Sequence, residues 1–588
     1  MAQSIIVKEI PTTPFKDQKP GTSGLRKKTN IFADGYYLHN FIQSTFNALP
    51  KENYEGQTLC VGGDGRYFSL EATQIIAKIA AANGVGRLWI AKDCIISTPA
   101  MSAVIRTREE GICKGAFILT ASHNPGGVTA DFGVKYNGEN GAAAPQPVTD
   151  GIYAQSLKID KLLMAELPEL DVSTIGTKYE FLVNDKPFVV EIISGTEDYI
   201  ALLKTVFDFD YINKLTTRKD FKFYFDAQHG VAGIYTIPIF HDLLHIPLED
   251  LHNYVPKPDF NGWHPDPNLT YAKELVPAMG IDRKGNSVEC DVTTLPDLGC
   301  ATDGDADRCM VIGKQWFVSP SDSLAIVAAN ASAIPYFSKG IKGVARSMPT
   351  SSALDIVAKA QNIPLFEVPT GWKFFGNLMD SGLLGKVNYH PFICGEESFG
   401  LGADYIREKD GIFCSLCWLS IMTKYNEDAS KPLVSIKEIF AQHVQKYGRH
   451  YYTRYDYEGL PTADADRVMS RLTGIIDTLK WSQLPHIEVN GFKLCKADDF
   501  AYYDTVDEST TEHQGYRFFL EDGSRIIFRL SGTGSSGATI RMYLEKYEKD
   551  EKKMFVKTQE VMKDLVDLAL ELSHIPTITG RKEPTVIT

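Results

Sequence analysis

Thr120-Ala121-Ser122-His123-Asn124-Pro125-Gly126-Gly127 is the stretch on which the reading of this chain turns. The run before it, Gly115-Ala116-Phe117-Ile118-Leu119, is short, continuous and apolar, which predicts a buried strand. Asn124-Pro125-Gly126-Gly127 predicts a tight turn. One hydroxyl, that of Ser122, is therefore expected in a strained loop at a strand's exit. Upstream, Thr58-Leu59-Cys60-Val61-Gly62-Gly63-Asp64-Gly65-Arg66 reads as a strand and turn, and residues 71–80 repeat apolar side chains at helical spacing. Strand, helix, strand is an α/β rhythm, and the first unit is expected to run over residues 1–195.

The 588 residues allow about four domains at roughly 150 residues each. A net charge of -13 argues against the clustered basic face that nucleic acid or an anionic membrane attracts. A phosphorylated ligand then has to be met by local cations. No apolar run has the length of a membrane span, and residues 1–9 lack the layout of a signal peptide, so a cytoplasmic location is expected. The ten cysteines are scattered, as in a reducing compartment. Cys414-x-x-Cys417 lies in a continuous apolar segment that predicts a buried helix rather than a redox turn or a zinc site.

A second unit, expected over 196–320, ends in Cys300-Ala301-Thr302-Asp303-Gly304-Asp305-Ala306-Asp307-Arg308. In an extended segment alternate side chains share a face, so Asp303, Asp305 and Asp307 are expected to converge on one cation. Hard oxygen donors suit Mg²⁺. An EF-hand is excluded, because Arg308 stands where it needs glycine and Lys314 where it needs glutamate. Asp464-Ala465-Asp466-Arg467 offers only two carboxylates before a helical run and reads as a helix N-terminus.

Further loops carry polar chemistry. Gly21-Thr22-Ser23-Gly24-Leu25-Arg26 joins glycines, which let a backbone approach an anion, to a guanidinium able to grip it with two hydrogen bonds. A third unit, expected over 321–425, holds Pro369-Thr370-Gly371-Trp372-Lys373 and Cys394-Gly395-Glu396-Glu397-Ser398-Phe399-Gly400. Glu396 and Ser398 at alternating positions between glycines suit hydroxyl groups. Arg407-Glu408-Lys409-Asp410-Gly411, taken alone, is a charged turn. The last unit, expected over 430–588, is marked by two strand-like runs around Ser531-Gly532-Thr533-Gly534, with Arg529 and Arg541 supplying charge to a phosphate.

The loop at Ser122, with Asp131-Phe132-Gly133-Val134-Lys135 after it, closely resembles the phosphoserine loop of the α-D-phosphohexomutases, nearest to their eukaryotic phosphoglucomutase branch. The other motifs resemble that family's loops in the family's order. Thr22, Ser23 and Arg26 match the loop facing the transferring phosphate. Asp303 to Arg308 match the metal loop, usually written Asp-Gly-Asp-Gly-Asp-Arg, with Ala306 in place of the second glycine. If that position needs positive φ, alanine strains the loop. Thr370, Gly371, Trp372, Lys373, Glu396 and Ser398 match the sugar-specificity loops, Lys409 the substrate site, and Arg529 to Arg541 the distal phosphate loop.

The resemblance implies an α/β fold of three related α/β domains with mixed sheets, plus a C-terminal α+β domain, around a central cleft. It implies an isomerase of glucose metabolism that interconverts α-D-glucose 1-phosphate and glucose 6-phosphate. Ser122 would carry the phosphate and complete a Mg²⁺ site with the three aspartates; glucose 1,6-bisphosphate would be intermediate and activator. Asp307 and Arg308 would also touch substrate. Lys135 matches the family's general acid–base, with His123 a competitor because both flank the serine loop. The partner expected is a hexose phosphate, and the chain is expected to be a monomer. The alternatives are a phosphoglucomutase-like structural or secretory protein with little catalysis, and a mutase that also accepts mannose phosphates.

Overall fold

Three of the four main sheets repeat one plan, and in each the same connection leads to one of the polar loops. The computed structural model describes residues 3–21, 24–481, 487–489, 491–532 and 537–588; Thr22, Ser23, Thr533 and Gly534 lie outside the described residues. In the first sheet Arg87–Ile95, Thr58–Gly63 and Cys113–Leu119 run parallel, and Asp131–Gly138 returns antiparallel to Cys113–Leu119. The second sheet repeats this with Leu251–His252, Phe223–Asp226 and Leu298–Thr302 parallel and Cys309–Gly313 returning. The third repeats it with Leu365–Val368, Gly343–Ser347 and Phe392–Glu396, then Gly400–Ala403. These are three related units with mixed sheets. The returning connection holds Ser122 in the first, the aspartates in the second and Ser398 in the third.

The middle strands Thr58–Gly63 and Gly343–Ser347 are buried at every residue, because helices cover both faces of such sheets. One helix, Gly411–Tyr425, is apolar all round and buried from Gly411 to Thr423, so Cys414 and Cys417 are core thiols as expected. It packs on the second and third sheets, and one continuous apolar core joins those units to the back of the first. No helix among the described residues is long and apolar enough to cross a membrane.

The fourth sheet is antiparallel, with Arg525–Gly532, Ala538–Glu548 and Arg449–Leu460 at its centre and the helices Thr462–Trp481 and Thr558–Ser573 packed on it. Asp464 lies in the first turn of Thr462–Trp481 and is held by Arg467, the helix start expected. This unit has its own core. It meets the third unit through apolar clusters at Met348 and at Phe374, Val506 and Tyr502, and through part-buried ion pairs: Arg517 to Glu367 at 2.7 Å and Arg525 to Glu367 at 3.3 Å.

Candidate active site

Ser122 has φ of +54°, a left-handed conformation that costs an L-residue roughly 1 kcal/mol. A buried charge pair enforces it. Arg66 Nη2 donates to the Ser122 carbonyl at 2.9 Å, and Arg66 Nη1 to the Asp131 carbonyl at 2.9 Å. Asp64 orients that guanidinium and accepts the Thr120 hydroxyl at 2.6 Å, which in turn accepts the Ser122 N–H. Asp64 and Arg66 are positioning residues that the sequence reading took only as a turn. Their signal was there, two opposite charges among glycines at the end of an all-apolar strand.

The Ser122 hydroxyl lies 3.0 Å from Asp303 Oδ2 and 3.2 Å from His123 Nδ1. Burial, with Arg308 and Arg26 next, pushes the His123 imidazolium well below its ordinary range, so the ring is neutral. It stacks 6.2 Å from His264.

The aspartates converge for a different reason than strand alternation. Residues 303–308 form a turn between two antiparallel strands, not an extended segment, and Ala306 takes φ of +62° within it. The sequence reading foresaw that strain; the turn is closed by the Ala306 N–H on the Asp303 carbonyl at 3.1 Å. Gly304 brings the loop against the first unit: a Cβ there would sit 2.6 Å from the Ser122 carbonyl oxygen. Gly304→Ala is therefore expected to shift the metal loop away from the serine, lowering turnover at least about tenfold. Steady-state kinetics beside a melting curve check this, and full activity in a normally folded variant would refute it.

One carboxylate oxygen from each of Asp303, Asp305 and Asp307 lies within 4.8 Å of the others, and all three side chains are buried. Burial and then the two neighbouring carboxylates push the Asp303 carboxyl well above its usual range. Burial opposes ionisation of Asp305 too, yet Lys135, the Thr98 hydroxyl at 2.8 Å, Lys409 and Arg26 carry it below. Lys409 Nζ is 3.3 Å from Asp307 and Arg308 Nε 3.9 Å from Asp303 and Asp307. Even so, Asp305 Oδ1 and Asp307 Oδ1 are buried without a hydrogen-bond partner. Hard, inward-facing, unpartnered oxygens fit a divalent cation.

Lys135 Nζ lies 3.5 Å from Glu408, which also accepts from Asn137 at 2.8 Å. Burial draws the ammonium down, but Glu408, Asp305 and Asp307 more than offset it and hold Lys135 above its ordinary value. Glu408 and Thr98 went unread, because their partners lie far away along the chain.

The sugar-loop expectations hold only in part geometrically. Glu396 ends a strand while Ser398 lies in the following turn, so strand alternation does not pair them. Glu396 is buried and accepts the Gly371 N–H at 3.1 Å, joining the two loops, and Thr370 Oγ1 is buried without a partner. Gly400 leaves room for Lys409, whose Cδ a Cβ would approach to 2.8 Å. Trp372 packs inward on Phe375 and against Gly402. Lys373 bonds Gln146 of the first unit at 2.7 Å, away from the aspartates.

In the last unit Arg529 and Arg541 are directly opposite on antiparallel strands, as are Ser531 and Thr539. Like charges so placed repel unless an anion lies between them. Arg529 Nε donates to the Gln514 carbonyl at 3.1 Å, Arg541 Nε is 3.6 Å from Asp456, and Ser531 Oγ is buried without a partner. Gly532 ends the Arg525–Gly532 strand beside them.

The chain belongs to the phosphoglucomutase/phosphomannomutase family: models of that family's α/β/α domains I, II and III match residues 17–163, 197–316 and 320–447. Residues 449–585 match the C-terminal domain of phosphoglucomutase-1. Among its relatives, a cytoplasmic phosphoglucomutase of Zea mays is 53% identical over 98% of each chain, and one of Populus tremula 53% identical over 99% of each. The crystal structure of pp63/parafusin from Paramecium, an exocytosis-sensitive phosphoprotein also titled a phosphoglucomutase, in open form, is 46% identical, covers 100% of each chain and superposes with a TM-score of 0.89.

Proposed function

We propose that this chain is a phosphoglucomutase that interconverts α-D-glucose 1-phosphate and glucose 6-phosphate through phosphorylated Ser122 and glucose 1,6-bisphosphate. The observation that carries the reading is the meeting of Ser122 Oγ with the buried aspartate triad at 3.0 Å, in a chain that also opposes Arg529 to Arg541. Each of the units 1–195, 196–320, 321–425 and 430–588 brings one loop. A single chain supplies every group, so a monomer suffices, and a cytoplasmic location agrees with the names of its relatives.

In the first half-reaction the phosphorus–Oγ bond at Ser122 breaks as the sugar's free hydroxyl bonds to phosphorus. The hydroxyl proton passes to the buried Lys135–Glu408 pair, in which burial shifts the Glu408 carboxyl upward. Neutral His123 orients the serine. Arg26 and Arg308 face the transferring group, and Arg529, Ser531 and Arg541 hold the phosphate that is not reacting. The bisphosphate then turns around and returns its other phosphoryl group to Ser122. When bound by Asp303, Asp305 and Asp307, Mg²⁺ supplies charge that offsets the negative oxygens of the transferring group. The intact loops weigh against a non-catalytic scaffold.

A coupled assay of glucose 6-phosphate formation, with Mg²⁺ and a trace of glucose 1,6-bisphosphate, tests this. Glucose 1-phosphate should turn over faster than mannose 1-phosphate, whose product is followed separately as mannose 6-phosphate. Glu396→Gln should lower the glucose rate by about 10- to 100-fold, the worth of a hydrogen bond to a charged group. No turnover of either sugar would leave the scaffold reading standing.

A further inference from the structure

A cavity of about 490 Å³ lies where the second, third and last units meet. That is the size of a small-molecule site. None of Ser122, the three aspartates, Lys409 or Arg529 lines it. Its lining collects cations from three parts of the chain: Arg283 and Lys284 from the second unit, Lys437 from the stretch 320–447 that matches the family's domain III, and Arg449 and Lys557 from the last unit. In a chain of net charge -13 this clustering is against the average.

Arg449 is fixed by stacking over Phe440 at 4.4 Å and Tyr451 at 5.0 Å. Its nearest carboxylate, Asp322, is 3.9 Å away, and its Nε and Nη1 find no hydrogen-bond acceptor. His450 beside it is 5% exposed and leaves Nε2 unpartnered, Nδ1 being engaged with Glu545 at 2.8 Å. The lining carboxylates are already satisfied: Asp322 by the Ser319 hydroxyl at 2.8 Å, Glu397 by Ser347 at 3.0 Å and Asp567 by Lys563 at 2.8 Å. The wall between the cations is aromatic. Trp316, capped by Lys437 at 5.2 Å, adjoins Phe555, a residue 45% exposed.

We propose that this cavity binds an organic polyphosphate carrying an aromatic ring, of the nucleoside triphosphate class, and that the ligand ties the last unit to the second and so slows turnover. The phosphates would bridge Arg283 and Lys284 to Arg449 and Lys557, and the ring would lie on Phe555. The bridge spans the contact between the second unit and the last, which bears Arg529 and Arg541, beside the hydrogen bond from Gln559 Nε2 to the Lys284 carbonyl at 3.1 Å. The binding claim stands on the cavity alone; only the effect on turnover rests on the proposed activity.

The test is calorimetric titration of the full-length protein with Mg·ATP, Mg·tripolyphosphate and adenosine, the cleft saturated with glucose 1-phosphate. Mg·ATP should bind once per chain, tripolyphosphate at least tenfold more weakly, and adenosine not at all. The double variant Arg283→Ala/Lys557→Ala should weaken Mg·ATP at least tenfold while its turnover without nucleotide stays native. Kinetically, Mg·ATP should lower kcat of the native enzyme at unchanged KM for glucose 1-phosphate, and leave the double variant unaffected. Absence of binding, equal binding of tripolyphosphate, or native affinity in the double variant overturns the site, and competition with glucose 1-phosphate would move it into the cleft. Binding without a change in kcat overturns the regulatory half. Because the heat is read independently of catalysis, a protein without mutase activity would refute the functional reading and leave this site to its own result.

Discussion

Ser122→Ala is expected to lower interconversion of glucose 1-phosphate and glucose 6-phosphate by at least about 10⁴-fold, the scale on which a covalent nucleophile is lost. The substitution removes one oxygen and little else. Alanine bears the same left-handed strain as serine, and the Arg66 and Thr120 contacts that impose the conformation go to the backbone. The melting temperature should therefore stay within a few degrees of native. Sugar phosphate should still bind, since Arg529, Arg541 and Glu396 are untouched. The native protein should carry one phosphate on the Ser122 peptide by mass spectrometry, and that phosphate should leave on incubation with glucose 1-phosphate as bisphosphate appears. The alanine variant should carry none there. Near-native interconversion by Ser122→Ala would sink the phosphoserine mechanism whatever the fold.

Much of this architecture could be read from single stretches because its strands are buried on both faces and so appear as unbroken apolar runs. Thr58–Gly63 and Cys113–Leu119 are of this kind, and glycine-rich turns mark where each ends. The loops were legible for the same reason: Ser122, Asp303 and Glu396 each follow such a run. What failed was the use of a two-residue period beyond the strand. It was applied to 303–307 and to Glu396 with Ser398, where the chain turns. In the first case convergence survives because a left-handed Ala306 does what alternation was supposed to do. Trp372 entered by motif position alone, which does not say which face of its helix a ring takes. Beyond reach altogether were the pairings Thr98 to Asp305 and Lys135 to Glu408, which depend on how separate units dock. Charge within one turn is local information; its partner on another sheet is not.

Those docked contacts bear on the second large effect, loss of the divalent cation. Excess chelator is expected to reduce turnover by at least about 10³-fold, the cost of removing a main source of transition-state charge stabilisation, and added Mg²⁺ should restore it. The carboxylates are not wholly dependent on a metal, since Lys409, Arg308 and Lys135 already lie near them. The apo protein should thus fold, with Asp303 inclined to keep a proton. Binding should then register as stabilisation, about 2.7 kcal/mol at a hundredfold excess over Kd, seen as a rise in melting temperature that needs no substrate. Asp305→Asn keeps the shape and the Thr98 contact but removes charge from an otherwise unpartnered oxygen. It should abolish both the Mg²⁺-dependent rise and turnover. An Asp305→Asn protein that retains the full thermal response would show that the cation binds elsewhere, and undiminished turnover in excess chelator would show that the arginines and lysines of the cleft suffice without it.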